Sequence, residues 1–198
     1  LSGKENVRAS QSLPLGVTSS FQHWDPYPIS VASAKGAYVK DVDGRKLLDL
    51  SMGFGAMMVG HLNPGVVRAV KRALNRVGTL FVTPSPTATI AAEAFKKRFK
   101  LDMIRFTNSG TESLMYAIRT ARATNGKKAI IKLEGGYHGG YDPLQVSVKP
   151  KLANIGDGNA PTPEVPSEVE PGEVFVVPYN DLPYLEKIMS EHADRIAA

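Results

Sequence analysis

The stretch Thr107-Asn108-Ser109-Gly110-Thr111 is a small polar turn whose backbone can approach a ligand closely. The run Met103-Ile104-Arg105-Phe106 ahead of it predicts a strand, and a helical pattern begins directly after it. The first amides of such a helix have no partner inside it. Together with the helix dipole they favour an anion, typically a phosphate. Gly110 has no Cβ to block a close approach. The same residues also spell a plain helix start, because Ser109 and Glu112 have the Ser-x-x-Glu spacing of a capping box.

A second stretch carries different chemistry. Glu134-Gly135-Gly136-Tyr137-His138-Gly139-Gly140 offers an aromatic face and an imidazole among glycines, after the β-like run 129–133. The intervening helix is expected from Thr111 to about Thr124, with Leu114, Ala117, Ile118 and Ala121 inward and Asn125-Gly126 as its stop. Two special loops after strands, joined by one helix, are the layout of an α/β ligand site. A unit of this length predicts a right-handed parallel crossover.

The remaining elements follow from pattern. Residues 1–30 are polar and irregular, then rich in aromatics and proline, and predict an arm with Trp24 and Tyr27 covering a core edge. Asp43-Gly44 predicts a hairpin with strands over 37–40 and 46–50. The run Asp41-Val42-Asp43-Gly44 is not a calcium loop, which needs its glycine at the sixth position and a late glutamate. Residues 51–60 predict a loop near a ligand or subunit contact; Gly53-x-Gly55 lacks the third glycine of a dinucleotide fingerprint, with Met58 in its place. A helix opens at Asn63-Pro64 with Val66, Val67, Val70 and Leu74 on one face, and another runs from the proline break at 83–87 to about Lys100. Residues 149–172 hold five prolines and predict a long surface loop, functional or mobile. A strand over 174–177, a helix capped at Asn180-Asp181 and the start of a further strand at Ile196 complete the alternation.

With 198 residues, 42% of them hydrophobic, a core is affordable. No cysteine is present, which excludes disulfides and thiolate chemistry and suits a reducing compartment. No run is long and apolar enough for a membrane span, and residues 1–10 are no signal peptide. The net charge of +5 suits anionic small molecules. The basic cluster Lys96, Lys97, Arg98 and Lys100 shares a helix with Ala91, Ala92, Phe95 and Phe99, so it predicts a solvated face rather than a nucleic-acid site. His61 is expected to be structural, and the four histidines lack metal-ligand spacing.

Asn108-Ser109-Gly110-Thr111-Glu112 and Glu134-Gly135-Gly136-Tyr137-His138-Gly139 together resemble class III, fold-type I pyridoxal-phosphate aminotransferases, in the glutamate-1-semialdehyde aminomutase branch. Gly36-Ala37-Tyr38-Val39, Gly60-His61-x-Asn63-Pro64 and Pro178-Tyr179-Asn180-Asp181 fit that branch in order, and Gly16 to Gln22 is similar to aminotransferase domains of polyketide and peptide synthases. The resemblance implies an α/β fold, with residues 1–60 as N-terminal arm and small-domain hairpin and 61–198 as the first part of the cofactor-binding large domain. It implies pyridoxal 5'-phosphate as cofactor, with Ser109, Gly110 and Thr111 at its phosphate, Tyr137 stacked on its ring and His138 beside the ring or one layer behind. Ser19, Gln22 and Phe54 become candidate substrate contacts, and the 149–172 loop matches in position a mobile segment over the aminomutase site. It further implies a cytoplasmic homodimer acting on a small-molecule amino donor and a keto acceptor, free or on an acyl carrier protein, with neither nucleic acid nor membrane as partner.

Two departures shape the functional expectation. Gln22 stands near where the aminomutases place an arginine for the substrate carboxylate, and glutamine cannot form that bidentate charged pair. The Schiff-base lysine and the aspartate at the pyridine nitrogen are expected beyond Ala198, so no catalytic residue is assigned in this chain. Lys132 lies near the second loop, but not where the family forms its covalent link. The leading expectation is the N-terminal portion of an aminotransferase, inactive and poorly folded alone. The alternatives are an aminomutase, and a non-catalytic scaffold that kept the fold.

Overall fold

The computed structural model describes residues 1–78, 82–151 and 164–198. It divides into two compact units, Leu1–Ser85 and Pro86–Ala198.

In the first unit, β1 (Val31–Lys35), β2 (Tyr38–Asp41) and β3 (Lys46–Leu48) form an antiparallel sheet in that order. The β2–β3 hairpin is the predicted one, with Tyr38 opposite Leu48 and Lys40 opposite Lys46. Its turn is closed by Asp41, whose carboxylate accepts from the Arg45 amide at 2.8 Å and its guanidinium at 2.6 Å. Strand β1 went unpredicted because its burial does not alternate, so no period-2 pattern marks it. The arm begins with a helix, α1 (Ser2–Ser10). That too departs from expectation: it lacks an apolar stripe and carries a Glu5–Arg8 pair at 2.7 Å. Trp24 is exposed, so it does not cover a core edge; Tyr27 lies against Gly3 of α1. Helix α2 (Pro64–Arg76) is capped by the Asn63 side chain, which accepts from the Gly65 and Val66 amides. Its apolar face is present, but Val66, Val70 and Leu74 stay exposed.

The second unit starts with α3 (Pro86–Phe99), followed by α4 (Gly110–Asn125). Between them, residues 103–106 form no strand, because no neighbour supplies ladder bonds among the described residues. The parallel pairing lies one step later, between β4 (Ile130–Leu133) and β5 (Val174–Val177), followed by α5 (Leu182–His192). Residues 196–198 begin the further strand on the opposite edge of β4, where the Ile131 amide donates to Ala198 O at 2.8 Å.

Side chains alternate across β4. Ala129 packs with Val177, Ile188 of α5 and Ile196, while Ile130 packs with Ile118 of α4 and Leu144. Helices thus cover both faces of the parallel pair, as buried parallel strands require. Of the face predicted inward on α4, Ile118 is buried, whereas Leu114 and Ala117 stay exposed. The predicted 149–172 loop lies partly outside the described residues. No helix among them is long and apolar enough to cross a membrane.

Candidate functional site

The turn into α4 is a helix cap and a candidate anion cup. Ser109 is the N-cap, and its Oγ accepts from the Glu112 amide at 3.2 Å. Glu112 reaches back to the Asn108 amide at 2.8 Å, one residue earlier than in a capping box. Thr107 Oγ1 braces the turn by donating to Ser109 O at 3.1 Å. The first amide bonded back along the helix is that of Ser113, to Ser109 O at 3.0 Å. Among the described residues the amides of Gly110 and Thr111 therefore have no acceptor, as at any helix start. A methyl on Gly110 would meet nothing within 4 Å, so the mouth of the turn is open.

The 134–140 loop is docked onto this cup. The Gly140 amide donates to Thr111 Oγ1 at 3.2 Å. Both Ser109 and Thr111 thus accept with their hydroxyl oxygens and keep their hydroxyl protons for donation. Gly139 makes the docking sterically feasible: with φ at +100°, its missing Cβ would fall 2.7 Å from Thr111 Cα. Tyr137 is 71% exposed, so most of its surface is open. His138 folds back over Gly136, where a methyl would lie 2.8 Å from Nε2.

Gly139, Gly140 and Lys132 stand in the sequence reading without their contacts, and Gln145 is not named there. The double glycine 139–140 after His138 was the available sign of a close approach. Gln145 Nε2 donates to Gly139 O at 2.5 Å, and nothing in its context announces that. Lys132 is 4% exposed and donates to Gly136 O at 3.1 Å and to Val146 O. Burial pushes its ammonium below the ordinary lysine range.

The candidate substrate residues belong to the first unit. Ser19 caps a short turn over Ser20–Gln22, and the Gln22 amide donates to Ser19 O at 2.9 Å. Gln22 Oε1 accepts from the Thr18 hydroxyl at 2.8 Å and the Thr18 amide at 3.2 Å. Phe54, at φ +54° in the glycine-rich loop, meets Phe21 edge-on with centroids 5.2 Å apart. The aromatic pair thus joins the arm to the 51–60 loop. His61 is structural: its backbone pairs with Gly36 and its Nε2 contacts Asp49 Oδ2 at 2.8 Å. Among the described residues, His, Asp and Glu gather in no group of three able to hold a metal ion.

Parallel strands covered by helices, with an aromatic loop docked on the turn into α4, define an α/β protein. Residues 20–198 match the class-III aminotransferase family, and the chain belongs to that family. It is 40% identical over 191 residues to a glutamate-1-semialdehyde 2,1-aminomutase of Thermoplasma volcanium, covering 96% of this chain and 44% of that protein. It superposes on an omega-transaminase from Sphaerobacter thermophilus with a TM-score of 0.90 at 34% identity, over 100% of this chain and 46% of the other. A transaminase with PLP bound gives a TM-score of 0.87 at 31% identity, over 100% and 46%. The chain thus spans about half the length of the relatives it matches, and its fold is that of the N-terminal part of fold-type I transaminases.

Proposed function

We propose that the complete protein carrying this chain is a pyridoxal-phosphate-dependent aminotransferase. It moves an amino group onto a keto or aldehyde carbon of an acid or a carrier-bound acyl substrate. The observation that carries this reading is the bond from the Gly140 amide to Thr111 Oγ1, which makes the anion cup and the aromatic loop one site.

The described residues suit both halves of the cofactor. Its phosphate matches the free amides of Gly110 and Thr111 and the unspent protons of Ser109 and Thr111. Its ring matches the exposed face of Tyr137, a pairing of about 0.5–1.5 kcal/mol beyond burial. When bound, the cofactor supplies the electron sink for amino-group chemistry. The chain's own residues bind and orient it: the cup fixes one end, Tyr137 covers a face, and His138 supports the loop from above Gly136. No catalytic residue is proposed within the chain.

Ser19, Gln22 and Phe54 are proposed as substrate contacts, in an N-terminal part (1–60) distinct from the cofactor-binding part (61–198). Gln22 spends its carbonyl oxygen on Thr18 and keeps its amide hydrogens. A neutral donor suits an acyl carbonyl better than a free carboxylate, which favours an acyl carrier protein as partner. The working form is proposed to be a cytoplasmic homodimer. The second reading, an aminomutase, draws support from the name of the Thermoplasma relative, and Gln22 speaks against it.

The test is a titration of the complete protein with pyridoxal 5'-phosphate. Thr111→Val and Tyr137→Ala are each expected to raise its Kd roughly tenfold, the scale of one lost hydrogen bond or ring contact. Unchanged affinity in both variants would sink the assignment.

A further inference from the structure

The Tyr137 loop is held from below by two side chains with no assigned role. Strand alternation puts Lys132 on the same face of β4 as Ile130, beneath the loop. Its ammonium meets no carboxylate within ion-pair distance among the described residues. It donates instead to Gly136 O and Val146 O. Gln145 donates to Gly139 O at 2.5 Å. The two bonded loop carbonyls therefore bracket Tyr137 and His138, one immediately before the pair and one immediately after.

A buried ammonium paired only with carbonyls is a costly choice if filling space is all that is needed. An apolar residue would fill the same volume without the desolvation penalty, but it would leave both carbonyls without donors. The charge is thus spent on fixing backbone. Lys132 also ties the loop to Val146, which is 1% exposed, so the loop is anchored to the interior.

We propose that Lys132 and Gln145 are positioning residues that clamp the carbonyls on either side of Tyr137–His138 and so fix the aromatic ring over the cofactor. The inference rests on the cofactor reading above. It separates two functions within one site: the α4 turn holds phosphate, and the clamp sets the ring.

That separation can be measured in the complete protein with two probes, pyridoxal 5'-phosphate and inorganic phosphate, the latter as a competitor. Gln145→Leu removes one donor from a half-buried position and is the milder variant; Lys132→Met removes the other. Each is expected to raise the Kd for pyridoxal 5'-phosphate roughly tenfold and to change the circular dichroism induced in the bound ring. The inhibition constant of inorganic phosphate should stay at its wild-type value. Equal loss of affinity for both probes would show a general structural role and overturn the clamp, as would unaltered affinity and dichroism in Gln145→Leu. Should Lys132→Met fail to fold, Gln145→Leu alone decides. Wild-type protein that does not bind pyridoxal 5'-phosphate would overturn the functional reading and the clamp together. Wild-type binding with unaltered variants overturns the clamp alone.

Discussion

Gly139 lies directly against Thr111. An added methyl would sit 2.7 Å from Thr111 Cα, which is backbone and cannot swing aside. The left-handed φ of +100° makes any side chain at Gly139 strained as well. Gly139→Ala should therefore push the aromatic loop off the cup. The expected outcome is loss of pyridoxal 5'-phosphate binding with the secondary structure retained, read by titration and far-UV circular dichroism.

Lys132 should not be the residue that bonds the cofactor covalently. Its ammonium is 4% exposed and committed to two carbonyls. Borohydride reduction of the cofactor-loaded complete protein, followed by peptide mapping, should leave the peptide containing Lys132 unmodified. An adduct on Lys132 would overturn the placement of the site.

The contact between Asp49 and His61 makes an acid-sensitive point in the first unit. The Asp49 carboxylate is held below its ordinary pKa, first by the His61 imidazole and then by the Met52 and Ser51 amides, against an opposing push from burial. An unfolded chain then binds more protons between the depressed and the ordinary value. The stabilisation is complete above the ordinary carboxylate pKa and is lost as pH falls through the depressed one. Asp49→Asn should lower Tm at neutral pH, and the gap to wild type should close as melts are repeated toward pH 3. A gap that stays constant over that range would count against the assignment.

Gln22 should set the preference for the acceptor. Gln22→Arg restores a forked cation and is expected to raise kcat/KM for an acceptor with a free carboxylate while leaving pyridoxal 5'-phosphate affinity unchanged. Steady-state kinetics with free and carrier-bound acceptors would show it. No change in preference would remove Gln22 from the substrate contacts.

Much of this was legible in the chain itself, for identifiable reasons. The Asn63 and Asp181 caps, the Gly126 stop at φ +73° and the Asp43-Gly44 hairpin are local, and local chemistry is written in adjacent residues. The Ser109 cap of α4 was legible for the same reason. What was not legible depends on distant partners. Residues 103–106 are apolar like a strand, but a strand exists only where a neighbour bonds to it. The inward face of α4 was correctly apolar, yet of its four residues only Ile118 is buried, because burial depends on what is packed there. The contact of Gly140 with Thr111 spans 29 positions and that of Lys132 with Val146 spans 14. No pattern in the intervening residues encodes either contact. Helix α1 was missed because it has no apolar stripe, and its start is anchored by a distant partner, Asp43, whose carboxylate accepts from the Ser2 amide at 3.2 Å.

Strand β4 bonds on both edges, to Glu173 through the Ile130 amide and to Ala198 through the Ile131 amide. In an isotope-exchange experiment the Ile130 amide should be among the last of the second unit to take up deuterium, since freeing it means breaking the β4–β5 ladder with helices packed on both faces. The loop that presents Tyr137 grows directly from the end of that strand. The root of the loop is therefore tied to the part of the unit expected to open most slowly, so Tyr137 should keep its place beside the α4 turn when the exposed helices loosen.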